Sequence, residues 1–115
     1  MRNSNSHTKT YRKKLNKCRC IFYAYSELAY RYGDVLNKRE DIVSIDVNVK
    51  LLGCSLGDNY TTDFYCLKDN GEYLVRECVY KEKLLSPKTL KLLSASRNFW
   101  LSKGIKDWGI VINEN

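Results

Sequence analysis

The chain has 115 residues, of which 43% are hydrophobic and 29% charged, and its formal net charge is +7. A chain of this size buries one core and not two, so a single domain is expected. There is no apolar run of the roughly 18 residues needed to span a bilayer and no apolar segment of signal-peptide type near the N-terminus, which points to a soluble protein of the cytoplasm.

The first 20 residues hold Arg2, Lys9, Arg12, Lys13, Lys14, Lys17 and Arg19 and no acid, whereas residues 21–115 carry 13 bases and 13 acids. The excess positive charge therefore belongs to residues 1–20, read as a basic, flexible N-terminal arm before a single domain over 21–115. Within that arm Arg12, Lys13, Lys14, Lys17 and Arg19, with Tyr11 among them, are candidates for nucleic-acid binding, because neutralising phosphates releases counterions. A solvated tail is the plain alternative. Five cysteines, Cys18, Cys20, Cys54, Cys66 and Cys78, have neither the even count of a disulfide framework nor the C-x-x-C spacing of a zinc site, so reduced thiols are expected. Cys18-Arg19-Cys20 with His7 could bind a metal in principle, but the spacing does not indicate it. His7 is the only histidine and lies in the arm, which argues against a His-based catalytic dyad.

Over residues 21–36, Ile21, Tyr25, Leu28, Ala29, Tyr32, Val35 and Leu36 recur at helical spacing and predict one apolar stripe, with Glu27 well off it. Residues 42–51 then alternate strictly, Val43, Ile45, Val47, Val49 and Leu51 on one face and Ser44, Asp46, Asn48 and Lys50 on the other, as a half-buried strand does. A loop over 53–59 leads to a second strand over about 60–67. Lys68-Asp69-Asn70-Gly71 is a hairpin signal, since Asn-Gly tolerates positive φ, and a third strand follows over about 72–81. Ser86 and Pro87 start a helix as cap and first residue, Leu90, Leu93, Ser94, Arg97 and Leu101 continue it, and Gly104 ends it. Residues 108–112 read as a short buried strand. The predicted order is α-β-β-β-α-β.

That order resembles the core of the restriction-endonuclease-like, or PD-(D/E)xK, nucleases. Tyr60-Thr61-Thr62-Asp63-Phe64 is similar to the family strand that carries the Asp, and Val75-Arg76-Glu77-Cys78-Val79 to the strand that carries (D/E)xK. Thr89-Leu90, Arg97-Asn98-Phe99-Trp100, Gly104-Ile105 and Trp108-Gly109-Ile110-Val111-Ile112 resemble the second helix and last strand of the TnsA group of transposase endonuclease subunits, and phage head-completion nucleases share much of this kernel. The resemblance covers about residues 22–113. It implies an α/β fold with a restriction-endonuclease-like αβββαβ core, a mixed sheet flanked by two helices, in a protein of a transposon or phage that acts in a bacterial or phage-infected cell.

TnsA-like enzymes cut DNA at transposon 5′ ends beside a DDE transposase and an ATPase, so DNA and those subunits are the partners implied. The cofactor implied is Mg²⁺ or Mn²⁺, held by carboxylates to polarise the phosphate and help generate hydroxide. By residue matching, Asp63 and Glu77 take the two central metal-ligand positions and the Cys78 carbonyl adds a third oxygen. Independently, Glu77 shares a predicted strand face with Tyr73, Val75 and Val79, where a carboxylate needs a partner, either a metal or a Lys or Arg from the helices. Asp63 alone reads equally as a cap or turn residue.

Two positions depart from the family pattern. The helical glutamate falls on Ala29, and Glu27 stands about 200° round the helix axis from it; the catalytic lysine falls on Val79, with Lys81 on the same predicted strand face as its replacement. The chain also reaches Asn115 without the second domain by which TnsA proteins contact their ATPase. An endonuclease using Asp63, Glu77 and Lys81, and a degenerate nuclease fold that binds nucleic acid or a host protein without cutting, both remain open at this point.

Overall fold

A computed structural model describes residues 1–3, 9–54 and 60–114. In chain order its elements are β1 (Arg2–Asn3), β2 (Tyr11–Lys13), β3 (Phe22–Ala24), α1 (Glu27–Lys38), β4 (Ile42–Lys50), β5 (Tyr60–Lys68), β6 (Tyr73–Cys78), a 3₁₀ turn (Lys81–Leu85), α2 (Pro87–Ser102) and β7 (Asp107–Val111). The fold is α/β. Four main strands form a mixed sheet in the order β4-β5-β6-β7, antiparallel except for the parallel β6–β7 pair, and β1 adds a short antiparallel segment to β5. Among the described residues no helix is long and apolar enough to cross a membrane.

The stretch around residues 11–24 differs from the expected loose arm running into a helix. Tyr11–Lys13 pairs antiparallel with Phe22–Ala24, and Leu15 between them is buried in the core. Ile21 and Tyr25 fall four residues apart, as helix positions do, but the Ile-Phe-Tyr-Ala-Tyr run is rich in residues that suit a strand, and the helix begins only after Ser26, whose hydroxyl accepts from the Ala29 amide at 3.1 Å. On α1 the buried residues are Ala29, Gly33 and Leu36, while Val35 and, before the helix, Ile21 are exposed. Gly33 has a packing reason. A Cβ there would stand 2.6 Å from the Phe22 ring, so the close approach of α1 to β3 requires glycine.

The two faces of the sheet carry separate cores. Phe64, Cys66 and Leu74 pack with Phe22, Ala29 and Leu36 on the α1 side, and Val75, Tyr65 and Tyr73 pack with Trp100 on the α2 side. The predicted alternation along β4 holds only in its middle. Ile45 and Val47 join the α1-side core, but Val49 and Leu51 join the other one. The change occurs at Asn48, the one non-glycine residue with positive φ (52°) among those described, a conformation that asparagine tolerates better than most residues. At the other end a bulge between Ile42 and Ser44 buries Ile42 and leaves Val43 exposed.

The β5–β6 hairpin forms where expected, with Gly71 at φ 85° and its amide donating to the Lys68 carbonyl at 3.0 Å. Asn70 keeps negative φ, so the link is a four-residue turn closed by a left-handed glycine rather than a two-residue Asn-Gly turn. The third strand is shorter than expected: β6 ends at Cys78, and Lys81 opens the 3₁₀ turn. On α2 the inward face is Thr89, Leu93, Ser96 and Trp100, with Leu90 and Leu101 exposed. The last strand is an edge strand, and Ile110 and Ile112 are exposed where a buried run was expected.

Candidate functional site

The β5–β6 ladder runs from Leu67↔Tyr73 to Phe64↔Arg76 and stops there. Beyond that point the strands part, and residues 63, 77 and 78 need other partners for their amides and side chains. Two carboxylates fill the gap. The Cys78 amide donates to Asp63 Oδ2 at 2.7 Å, and the Asp63 amide donates to Glu77 Oε1 at 3.2 Å. Each acid thus caps the main chain of the opposite strand, and the split brings together the two residues that the family resemblance singles out.

Glu77 has no exposed surface, and Asp63 is 7% exposed. The Glu77 side chain points to the α2 side, where its Oε2 accepts from the hydroxyls of Tyr60 at 2.9 Å, Thr62 at 2.9 Å and Ser96 at 2.6 Å. Two indoles hold those hydroxyls in turn: Trp100 Nε1 donates to Thr62 Oγ1 at 2.9 Å, and Trp108 Nε1 to Ser96 Oγ at 3.2 Å. A hydroxyl has one proton and two lone pairs. With the indole protons occupying acceptor sites on Thr62 and Ser96, their own protons are aimed at Glu77. Burial, reinforced by the negative charge of Glu77, pushes the Tyr60 phenol well above its ordinary range, so it stays a donor.

One cation also reaches the acid pair. β4 occupies one edge of β5 at Thr61, through Lys50↔Thr61, so β1 pairs with Tyr60 and Thr61 on the edge that β6 has left. This places the Met1 ammonium against Asp63 Oδ2, with Glu77 Oε1 3.4 Å away.

The remaining predicted residues are distributed as follows. Ala29 is buried in the α1-side core with Cys78, across the sheet from Glu77. Glu27 is exposed and pairs with Arg31 at 2.5 Å. Val79 is buried. Lys81 does not share a strand face with Glu77, because β6 ends before it; its amide donates to Asn113 Oδ1 at 2.7 Å. The Cys78 group seen at the site is its amide, and burial pushes its thiol up to about 12. Of the five basic candidates, Lys13 pairs with Asp34 at 2.7 Å and lies 3.7 Å over the Tyr30 ring, and the Lys17 ammonium donates to the Arg39 carbonyl. Arg12, Lys14 and Arg19 are left exposed. His7 lies outside the described residues, as do residues 55–59 of the predicted loop.

Tyr60, Thr62, Ser96, Trp100 and Trp108 form the surroundings of Glu77 and were not singled out as its partners from sequence. Strict alternation from Phe64 and Cys66 would send Thr62 to the α1 side, away from Glu77, and Ser96 lies among leucines on a helix, so neither carries such a signal. A depression of about 540 Å³ between α1 and the chain after β7, lined by Leu28, Tyr32, Val35, Tyr80 and Ile112 among others, is separate: neither Asp63 nor Glu77 lines it. No protein-family model matches the chain, and no curated protein is significantly similar to it.

Proposed function

We propose that this chain is a TnsA-like, restriction-endonuclease-like protein of a transposon or phage that binds nucleic acid without cutting it. What supports the kinship is the element order together with the meeting of Asp63 and Glu77 where β5 and β6 part. The observation that carries the non-cutting part is Glu77 itself, a carboxylate with no exposed surface whose oxygens already accept from three hydroxyls and a main-chain amide. A Mg²⁺ ion takes about six oxygen ligands in near-octahedral array. Here it would find one free side of Glu77 and the carboxylate of Asp63, with alanine and valine where the family has a further carboxylate and a lysine. Among the described residues no set of three or more His, Cys, Asp or Glu converges as a metal cluster.

The second reading, a metal-dependent DNA endonuclease, is favoured by a different observation: the two carboxylates converge from adjacent strands on a point that already receives a cation. In that reading Asp63 and Glu77 hold Mg²⁺ or Mn²⁺, the metal supplies Lewis-acid polarisation of a phosphodiester, Lys81 contributes positive charge, and transposase and ATPase subunits are the partners. Supercoiled plasmid incubated with the protein in Mg²⁺, Mn²⁺ or EDTA, beside calorimetric titration of each metal, separates the two. The expected outcome is a plasmid that is bound in all three conditions and nicked in none. Metal-dependent nicking that disappears in Asp63→Asn would replace the first reading with the second.

A further inference from the structure

The near balance of charge over residues 21–115 conceals a division. From Lys83 to Lys106 there are six bases, Lys83, Lys88, Lys91, Arg97, Lys103 and Lys106, and no acid. All six are exposed. The ion pairs of the described residues lie elsewhere, at Met1 with Asp63 and Glu77, Lys13–Asp34, Arg31–Glu27, Arg39–Asp41, and Lys68 and Arg76 with Asp107. Among the described residues none of the six forms an ion pair, and the Lys103 ammonium lies 5.4 Å from the Phe99 ring centre. This stretch of exposed bases is therefore positive, with Glu82 and Asp107 the acids that bound it in sequence.

We infer that the outer surface of α2, with the residues that flank it, docks the phosphate backbone of a nucleic acid. The inference rests on the nucleic-acid-binding reading above and identifies its contact surface. Sixteen helical residues extend about 24 Å, with Lys91 near the middle of the exposed arc and Lys88 and Arg97 on its opposite flanks, so the bases offer a broad contact to phosphates that a duplex carries on each strand every ~3.4 Å, and not a single row. Lysines and an arginine on a helix surface recognise charge and not base edges, which makes the contact independent of sequence. The N-terminal hairpin is the poorer candidate, because Lys13 and Lys17 are held within the fold.

The location has a consequence for the acid pair. The inner face of α2 supplies Ser96 and Trp100 to the Glu77 surroundings, so the body of a helix about 10 Å across stands between docked phosphates and Asp63 or Glu77. A backbone held on the outer surface is bound without being presented to the carboxylates.

Two variants with equal loss of charge test this: Lys88→Gln/Lys91→Gln/Arg97→Gln on α2, and Arg12→Gln/Lys14→Gln/Arg19→Gln on the hairpin. Binding of a labelled duplex oligonucleotide is followed by anisotropy over a salt series, with circular dichroism and thermal midpoints to establish that both variants are folded. The α2 variant is expected to bind at least tenfold more weakly at low salt, with a log–log salt slope flatter by about 0.9 for each phosphate contact removed, and the hairpin variant to change by less than threefold. Full binding by the α2 variant, or equal losses in both, would overturn the assignment of the surface while leaving nucleic-acid binding in place. Absence of binding by the unaltered protein would overturn both, and an acidic protein partner would then be the occupant to seek.

Discussion

The two faces of the central sheet are solved by different chemistry. The α1 side is filled with Phe22, Ala29, Leu36, Ile45, Phe64, Cys66 and Leu74, whose stability comes from removing apolar area from water. The α2 side buries Tyr60, Val75 and Trp100 too, but at its centre lies Glu77, surrounded by three hydroxyls and two indoles. An apolar face tolerates approximate complements, because dispersion and burial are non-directional. A buried carboxylate does not: each unmet donor or acceptor carries its full desolvation cost. The comparison teaches that one sheet holds together by volume on one side and by directed hydrogen bonds on the other, and that the second side should fail more abruptly when altered.

The largest effect is therefore expected at Glu77. Glu77→Ala removes the acceptor that Tyr60, Thr62 and Ser96 share and leaves their hydroxyls and the Asp63 amide facing a cavity. A loss on the order of 3–5 kcal/mol is expected in urea unfolding, by analogy with removal of one partner from a buried ionic network. Glu77→Gln keeps one carbonyl for the hydroxyls and should lose less. If Glu77→Ala unfolds within about 1 kcal/mol of the unaltered protein, the hydroxyl network contributes little and the proposed contrast between the faces is wrong.

On the apolar side the sharpest test is Gly33→Ala. Alanine is the better helix former by about 1 kcal/mol, and in an open helix the change would stabilise. Here the added methyl meets the Phe22 ring at 2.6 Å, and that ring is buried and stacked near Tyr30 and Phe64, so it has little room to yield. Overpacking typically costs about 1–3 kcal/mol, so the net result should be a loss of roughly 1 kcal/mol, smaller than at Glu77. Combining Gly33→Ala with Phe22→Leu should recover part of it, because the two changes share one contact. A Gly33→Ala protein that melts above the unaltered one would show that this side adapts even to a direct collision.

What could be read beforehand follows the same division. The β5–β6 hairpin was legible in Asn70-Gly71, and the start of α2 in Ser86-Pro87, because capping and turn chemistry are local. Asp63 and Glu77, which the resemblance singles out, meet where β5 and β6 part, and metal binding there is a matter for the plasmid and calorimetric experiments. The failures are non-local. The alternation of β4 predicts one face, but Asn48 at φ 52° sends Val49 to the opposite core from Val47. On α2 the leucines suggest a stripe through Leu90 and Leu101, whereas Ser96 faces inward because the centre it meets is a carboxylate, and Thr89 is buried on the same face. Lys81 was placed by extrapolating a strand that stops at Cys78. In each case a residue's direction is decided by a partner distant in sequence.

The smallest expected effect concerns a carboxylate outside both cores. Asp107, at the start of β7, accepts from Lys68 at 2.9 Å and pairs with Arg76 at 2.8 Å, and its side chain is 36% exposed. Partial burial opposes its ionisation, but the hydrogen bonds from Lys68 and Arg76 outweigh that and hold its carboxyl below the usual aspartate range. The folded state therefore favours the ionised form more than the unfolded chain does. The contribution is complete above the unfolded value, near pH 4, and is lost as pH falls through the lower folded value. Asp107→Asn should flatten the decline in stability below about pH 4 and cost no more than ~1 kcal/mol at neutral pH, since solvent screens an ion cluster this exposed. A neutral-pH loss as large as that of Glu77→Ala would mean that exposure does not separate the two carboxylates and that position in the sheet matters more than burial.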